Sequence, residues 1–248
     1  IPNRLIQYAL GFSWALGFPL SSHFSHLDGK GDMEALREAW YTTTRFLQFV
    51  LFGATVTVLA MGEAFLLRWM GPSVDGVMPS IAEGGKWVVR LVGASLLIEG
   101  LAPNSSRLLV AMDRHGFVAR LALTIALISF PVTVLLAHFL AIPGVALSVL
   151  LARLAGATAM FILSLRAIEL PVLAHLRHTA FRFLLPVAGL AGTFAALHVW
   201  HAPVDYPTIL GQTLVAGLVY VGLVFCVTLV PEERRRLVDL VRNSLARL

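Results

Sequence analysis

Charge is scarce in this chain. Only 13% of its 248 residues are Asp, Glu, Lys or Arg, whereas about a quarter are charged in ordinary soluble domains. A soluble fold of this length would have too few charges to cover its surface. The shortage excludes a soluble enzyme and a disordered chain. The 58% hydrophobic content and the mean hydropathy of +0.81 predict an integral membrane protein instead.

Cysteine is nearly absent, and the common catalytic signatures are missing. The single cysteine, Cys226, lies within an apolar run, so the chain cannot form an internal disulfide framework. No Gly-rich phosphate loop with Lys-Ser or Lys-Thr, no paired metal-binding aspartates, no His-Glu-x-x-His and no Gly-x-Ser-x-Gly is present. We therefore expect no enzyme activity, no cofactor and no metal.

Basic residues exceed acidic ones, 19 to 14. A nucleic-acid-binding protein gathers such residues on one exposed face. Here they lie in short segments between apolar runs, which is typical of membrane loops. We expect the lipid bilayer as a partner and no nucleic acid.

Seven apolar stretches are each long enough to cross a hydrocarbon core of about 30 Å as a helix. Strands of a membrane barrel would need ten-residue alternation, which is absent. The sequence therefore predicts an all-α, polytopic integral membrane helix bundle. The seven stretches cover about 4–22, 45–67, 87–111, 117–141, 143–166, 181–200 and 208–230.

Loop charge predicts the orientation of these stretches. Lys and Arg are frequent after the first, third and fifth stretches and in the C-terminal tail, but absent from 138–146 and 199–208. Because basic loops stay in the cytoplasm, the C-terminus is predicted inside and Ile1 outside. An odd number of spans that starts outside, with Ile rather than Met at its start, indicates a fragment of a longer protein.

Two amphipathic helices are predicted on the cytoplasmic side. One is a short surface helix over 28–44, with Asp32 as its N-cap and a loose apolar stripe that includes Phe46. The other is a basic tail helix over 231–248, which divides the chain into a transmembrane bundle (1–230) and a tail. An interfacial anchor is the favoured interpretation of the tail, and a docking site for a partner is the alternative.

Polar groups in mid-span are costly and therefore candidates for function. Glu99 lies in the middle of the third stretch and Arg153 near the middle of the fifth. Helical spacing places Pro103 and Arg107 on the same face as Glu99, with Asn104 beside them. The residues Glu99, Asn104, Arg107 and Arg153 could line a polar cavity that receives an anionic headgroup. Alternatively, Glu99 and Arg153 could be a structural pair that neutralises itself within the bundle.

Small residues and one further acid have simpler interpretations. Glu63, near the end of the second stretch, is predicted to be an interfacial residue. Close helix approach is predicted at Gly156, Gly189, Gly192 and Gly217.

Three segments of the chain resemble a known pattern. The first is Phe18-Pro19-Leu20-Ser21-Ser22 followed by Gly31-Asp32-Met33-Glu34-Ala35-Leu36. The second is Phe65-Leu66-Leu67-Arg68-Trp69-Met70-Gly71-Pro72, and the third is Ala111-Met112-Asp113-Arg114-His115-Gly116. Together they resemble the polysaccharide flippases of the multidrug/oligosaccharidyl-lipid/polysaccharide (MOP) exporter superfamily.

The resemblance implies a function and a place in a larger protein. Family members have two lobes of spans, and this chain would be the C-terminal lobe, with the N-terminal lobe missing. The whole protein would move undecaprenyl-diphosphate-linked oligosaccharide across the bacterial inner membrane for surface polysaccharide assembly. Polysaccharide polymerase and glycosyltransferases are the implied protein partners.

Four alternative functions remain open, and one of them is a purely structural membrane subunit, which would not need the mid-span charges. A lipid II flippase carries the same polyprenyl diphosphate, and a multidrug extruder of the same superfamily would prefer acidic groups in its cavity. A membrane-bound transferase acting on lipid-linked sugars would need an acid/base set, for which the longest outer loop, 68–86, offers only Asp75 and Glu83.

Overall fold

The computed structural model describes residues 19–70, 79–101 and 104–229, together with positions 11 and 234. These residues are helical throughout apart from short turns, and none of them forms a strand. Most of the predicted first stretch (4–22) and nearly all of the predicted tail helix (231–248) lie outside the described residues. The helices are α1 (19–29), α2 (Met33–Met70), α3 (Pro79–Leu101), α4 (Ser105–Ala111), α5 (His115–Ala167), α6 (Val172–His178), α7 (Leu184–Trp200) and α8 (Tyr206–Leu223).

The predicted surface helix over 28–44 is not a separate element. Asp32 does cap a helix, since its Oδ1 accepts the N–H of Ala35 at 3.0 Å, but that helix is α2 and continues to Met70. No Gly or Pro interrupts the chain between Met33 and Phe52, so nothing ends the helix where the apolar span begins. With 38 residues, α2 is about 57 Å long and exceeds a hydrocarbon core of about 30 Å.

The predicted apolar stripe of this segment is partly wrong. Leu36 and Trp40 are fully buried, but Phe46 has 53% of its surface exposed. Leu36 and Trp40 pack with Phe24 of α1, Leu108 of α4 and Ile168. The first turns of α2 therefore bury one face against α1, α4 and Ile168.

The predicted third span covers parts of α3 and α4, and residues 102–104 lie between these helices in the chain. α3 packs along α2 through small residues at which the two backbones come close. A Cβ added to Gly93 would lie 2.7 Å from Leu59, and one added to Gly100 would lie 2.7 Å from Phe52. These contacts run in opposite order along the two helices, so α2 and α3 are antiparallel.

Helix α5 is two antiparallel limbs joined at a sharp reversal. Ala141 has φ 52° and ψ −132°, which is not helical. The hydroxyl oxygens of Thr133 and Ser148 lie 2.8 Å apart, whereas fifteen residues of straight helix would separate them by about 22 Å. The predicted stretches 117–141 and 143–166 correspond to these two limbs.

The remaining long helices, α7 and α8, pack against each other and against α2. Tyr220 of α8 donates a hydrogen bond from its hydroxyl to the carbonyl of Phe49 at 2.8 Å, and their rings stack at 5.4 Å. Phe52 of α2 meets Phe183 edge to face. These aromatic contacts form the largest apolar core.

Within the described residues, four helical segments are long and apolar enough to cross a membrane. They are Met33–Trp69, His115–Ala167, Val172–Trp200 and Tyr206–Thr228. The described part of the chain is thus the all-helical, apolar kind of structure expected of a membrane-embedded protein. The count of seven spans stays a prediction.

The close-packing predictions have a mixed outcome. A Cβ on Gly156 would lie 3.2 Å from Ile125 across the α5 hairpin, and one on Gly189 would clash with Leu223. Gly192 and Gly217 have no described neighbour within 4 Å of such an atom. The prediction is confirmed at the first two positions, whereas no described residue packs closely at the last two.

Candidate functional site

The polar site predicted from the sequence begins with an acid, two residues before the end of α3, and a base, near the middle of the second limb of α5. Glu99 is on α3 and Arg153 is on the second limb of α5, and these two elements run side by side. Nη1 of Arg153 lies 3.7 Å from Oε2 of Glu99. About a third of the Glu99 side chain and a quarter of the Arg153 side chain are exposed. The contact is a long ion pair that remains accessible.

A second polar contact lies next to it, toward α4. Arg107 donates from Nη1 to Oδ1 of Asn104 at 3.1 Å, and Asn104 donates from Nδ2 to the hydroxyl of Thr43 at 3.1 Å. Asn104 is fully buried, so these bonds satisfy its amide. Thr43 was not predicted, although its hydrogen bond with Asn104 links this site to α2.

The four predicted site residues thus form two neighbouring groups. Glu99 contributes electrostatically to Arg107 as well as pairing with Arg153, so one carboxylate serves two guanidinium groups. Pro103, the predicted kink, lies outside the described residues. Whether the groups hold a substrate stays a prediction. Their geometry fits both earlier interpretations, because the structural pair is formed and its cation is still accessible.

A buried histidine is the largest feature that the sequence analysis missed. His175 of α6 is fully buried, and its Nδ1 accepts the indole N–H of Trp40 at 3.3 Å. The ring stacks on Tyr41 at 5.5 Å and meets Phe161 edge to face at 5.3 Å. A neutral His175 therefore carries its proton on Nε2, for which the described residues provide no acceptor. Only the tertiary fold brings these aromatic residues together.

Two further buried polar side chains on α2 have unused hydrogen-bonding atoms. Thr44 and Gln48 are both fully buried. Within the described structure, the Thr44 hydroxyl and both amide atoms of Gln48 have no hydrogen-bond partner. The residues are four apart, so they share one face of the helix.

The far end of α2 carries a second charged cluster. Glu63, predicted to be a simple interfacial residue, pairs with Lys86 at 3.1 Å and with Arg90 at 3.6 Å. Both cations lie on α3, one helical turn apart, and Arg90 also lies over the Trp87 ring at 5.7 Å. This spacing of Lys86 and Arg90 is a signal that could have indicated a shared acidic partner.

An open cavity of about 820 Å³ adjoins this cluster, and we call it the Arg68 cavity. It lies between α2, α3, the end of α7 and the α7–α8 linker. Its lining includes apolar side chains as well as Glu63, Arg68, Arg90 and His198.

At the opposite end of α2, the turns between helices come together. Ser25 of α1 lies within hydrogen-bonding distance of the carbonyl of Ala111, at 3.3 Å. Arg37 donates from Nε to the carbonyl of Ile168 at 2.7 Å and pairs with Glu169 at 3.3 Å. The segments that follow the first, third and fifth predicted spans therefore meet at one end of the bundle.

The described ranges contain no group of three or more His, Cys, Asp or Glu side chains that could hold a metal ion. Comparisons with models of protein families, with curated proteins and with solved structures find no match. The function is therefore inferred from the residues and their geometry.

Proposed function

We propose that this chain is the second lobe of a flippase that moves polyprenyl-diphosphate-linked oligosaccharide across the bacterial inner membrane. In this proposal the seven stretches are seven spans, of the kind found in MOP exporters, with the C-terminus in the cytoplasm. The resemblance of the three sequence segments supports the assignment. The meeting of the three basic-flanked turns at one end of the bundle agrees with the proposed orientation.

The contact between Glu99 and Arg153 is the observation that carries the proposal. Charges within a membrane-spanning stretch are costly and are usually retained for function, and Glu99 and Arg153 lie within the predicted third and fifth stretches. At 3.7 Å and partly exposed, this pair leaves most of the five N–H donors of Arg153 unused. A diphosphate can therefore approach the guanidinium without first breaking a tight salt bridge.

Each residue of the site has a proposed role. Arg153 and Arg107 attract the diphosphate, and Glu99 pairs with them when no substrate is bound. Asn104 holds Arg107 in place through the bond between its Oδ1 and the guanidinium. Relative movement of the two lobes would expose this site first to the cytoplasm and then to the outside.

The test separates a binding role from a structural one. The full-length protein is reconstituted in vesicles with a fluorescent polyprenyl-diphosphate oligosaccharide, and an added glycosidase reports which leaflet the glycan occupies. Charge-assisted hydrogen bonds contribute about 1.5–3 kcal/mol. Arg153→Gln should therefore lower the flipping rate about 10-fold or more, with unchanged amounts of folded protein.

The double charge reversal Glu99→Arg with Arg153→Glu is the matched control. It keeps an acid and a base in contact but moves the cation to α3. If Arg153 binds substrate, the double variant folds normally and still fails to flip. Recovery of wild-type flipping by the double variant would show that only the ion pair matters. Absence of flipping by the wild-type protein would overturn the proposed function itself.

A further inference from the structure

The Arg68 cavity lies near the C-terminal end of α2, away from the Glu99–Arg153 contact. Its walls are of two kinds. Apolar side chains from α2 and the α7–α8 linker form one side, and charged groups form the other. The apolar lining residues are Leu59, Ala60, Ala64, Leu67, Ala202, Pro203 and Val204. A cavity with an apolar wall and a charged rim fits an amphiphile better than a small polar solute.

The charge at the rim is mainly positive. Lys86, at 3.1 Å, is the closer partner of Glu63, and Arg90 is more distant, at 3.6 Å. Lys86 can therefore keep the carboxylate neutralised while Arg90 turns toward a ligand. In the described chain Arg68 forms no ion pair within 4.0 Å. Its positive charge does contribute to lowering the pKa of Asp205.

The nearby acid Asp205 has a partner of its own. Its carboxylate accepts the backbone N–H of Thr208 at 2.8 Å and so caps α8. Arg68 lines the cavity, and no described acid lies within ion-pair distance of it. Guanidinium groups bind phosphate through paired N–H donors, and two of them flank this cavity.

His198 supplies a further polar group. It is at the C-terminal end of α7 and lines the cavity. Its Nε2 atom is buried, and no described residue is hydrogen-bonded to it. A buried ring nitrogen without a partner is costly, and a ligand oxygen could satisfy it.

We propose that the Arg68 cavity binds the phosphate of an anionic lipid headgroup, with the lipid chain along its apolar wall. Arg68 and Arg90 hold the phosphate, and His198 donates to one of its oxygens. The site requires no transport step, so it does not depend on the proposed flippase function. It predicts a preference for anionic over zwitterionic phospholipid.

The experiment measures lipid retention by native mass spectrometry of the purified full-length protein in detergent. Phosphatidylglycerol and phosphatidylcholine are titrated in parallel, and inorganic phosphate is a third probe. We expect phosphatidylglycerol to bind more tightly than phosphatidylcholine. The double variant Arg68→Gln/Arg90→Gln should lose about 10-fold or more of that affinity.

Arg120→Gln is the control for general headgroup attraction, since Arg120 is exposed on α5. It is compared with the single variants Arg68→Gln and Arg90→Gln, each of which also removes one positive charge. Ala64→Phe fills the cavity without changing charge and should also reduce phosphatidylglycerol binding. Equal retention of both lipids, or equal loss in the Arg120 variant, would overturn the proposal. Saturation of the site by inorganic phosphate alone, with no additional lipid bound, would contradict the lipid assignment.

Discussion

The backbone of Gly144 lies directly against the carbonyl oxygen of Leu136, where the two limbs of α5 meet. An added Cβ would collide with that oxygen and with the carbonyl carbon. Because backbone atoms of a helix cannot give way as a flexible side chain can, we predict that Gly144→Ala destabilises the hairpin by about 3 kcal/mol or more. Thermal unfolding in detergent, followed by size-exclusion chromatography, measures the effect.

Gly192→Ala is the matched control for this variant. Gly192 is also in a helix, but an added Cβ would meet no described atom within 4 Å. Alanine is the better helix former by about 1 kcal/mol, so the control should be neutral or slightly stabilised. Similar losses in both variants would contradict the tight hairpin.

Gly62 provides a test of the α2–α3 interface. A Cβ at this position would lie 2.7 Å from Cγ1 of Val89, which is buried. Gly62→Ala should cost about 1–3 kcal/mol through overpacking. Val89→Ala makes room for the added methyl, so the double variant should be more stable than the sum of the two single changes. Strict additivity in this double-mutant cycle would mean that the two residues are not in contact.

Gln48 is buried with an amide that the described residues leave unpaired. Removing an unsatisfied buried polar group relieves a penalty of about 1–3 kcal/mol, so Gln48→Met should raise the unfolding temperature. Gln212 is the comparison: its Oε1 also has no described partner, but its Nε2 donates to the carbonyl of His201 at 2.6 Å. Gln212→Met should lower the unfolding temperature. A loss of stability in Gln48→Met would reveal a partner for the amide.

Asp205 gives a prediction about pH. Its hydrogen bonds to Thr208 hold the pKa of Asp205 below the ordinary value of 3.8. The charged form is favoured in the folded state, so its stabilising effect is present above the unfolded-state pKa and is lost as pH falls through the lower folded pKa. The unfolding temperature should therefore exceed that of Asp205→Asn at neutral pH, and the difference should shrink below about pH 4.

The Asn variant keeps a capping oxygen but does not titrate. Asp205→Ala removes both the capping oxygen and the carboxylate charge, and it should be less stable than Asp205→Asn at neutral pH. A difference between wild type and Asp205→Asn that persists unchanged in acid would show that the carboxylate charge has no role at this cap.

The helical, apolar character of the fold was predictable because it depends only on local composition. Glycine and proline near Ala141 indicated that 117–141 and 143–166 are separate helices, and the hairpin agrees with that division. The extension of α2 back to Met33 was missed. Charged residues in its first turns resembled a surface helix, and sequence alone does not reveal that Trp40 is covered by other elements.

The candidate site was predictable only in part. Mid-span position alone singled out Glu99 and Arg153, and their contact had been one of two open interpretations. The surroundings of His175 depend on residues from α2 and α5 that are far apart in sequence, so no local pattern reveals them. Close packing at Gly192, which no described residue provides, was predicted for a related reason: α7 is apolar on all sides, and its sequence therefore gives no direction for its packed face.

The reversal at Ala141 also bears on how the protein is made. Its two limbs are joined without an intervening polar loop, and neither Lys nor Arg occurs between 138 and 146. In the proposed topology both limbs cross the membrane, and the nascent chain would then pass them into the bilayer together, as one preformed hairpin, with almost no hydrophilic peptide to translocate. An epitope tag or a glycosylation acceptor inserted at this turn would hinder membrane insertion of the hairpin far more than one placed at the turn after Asp28.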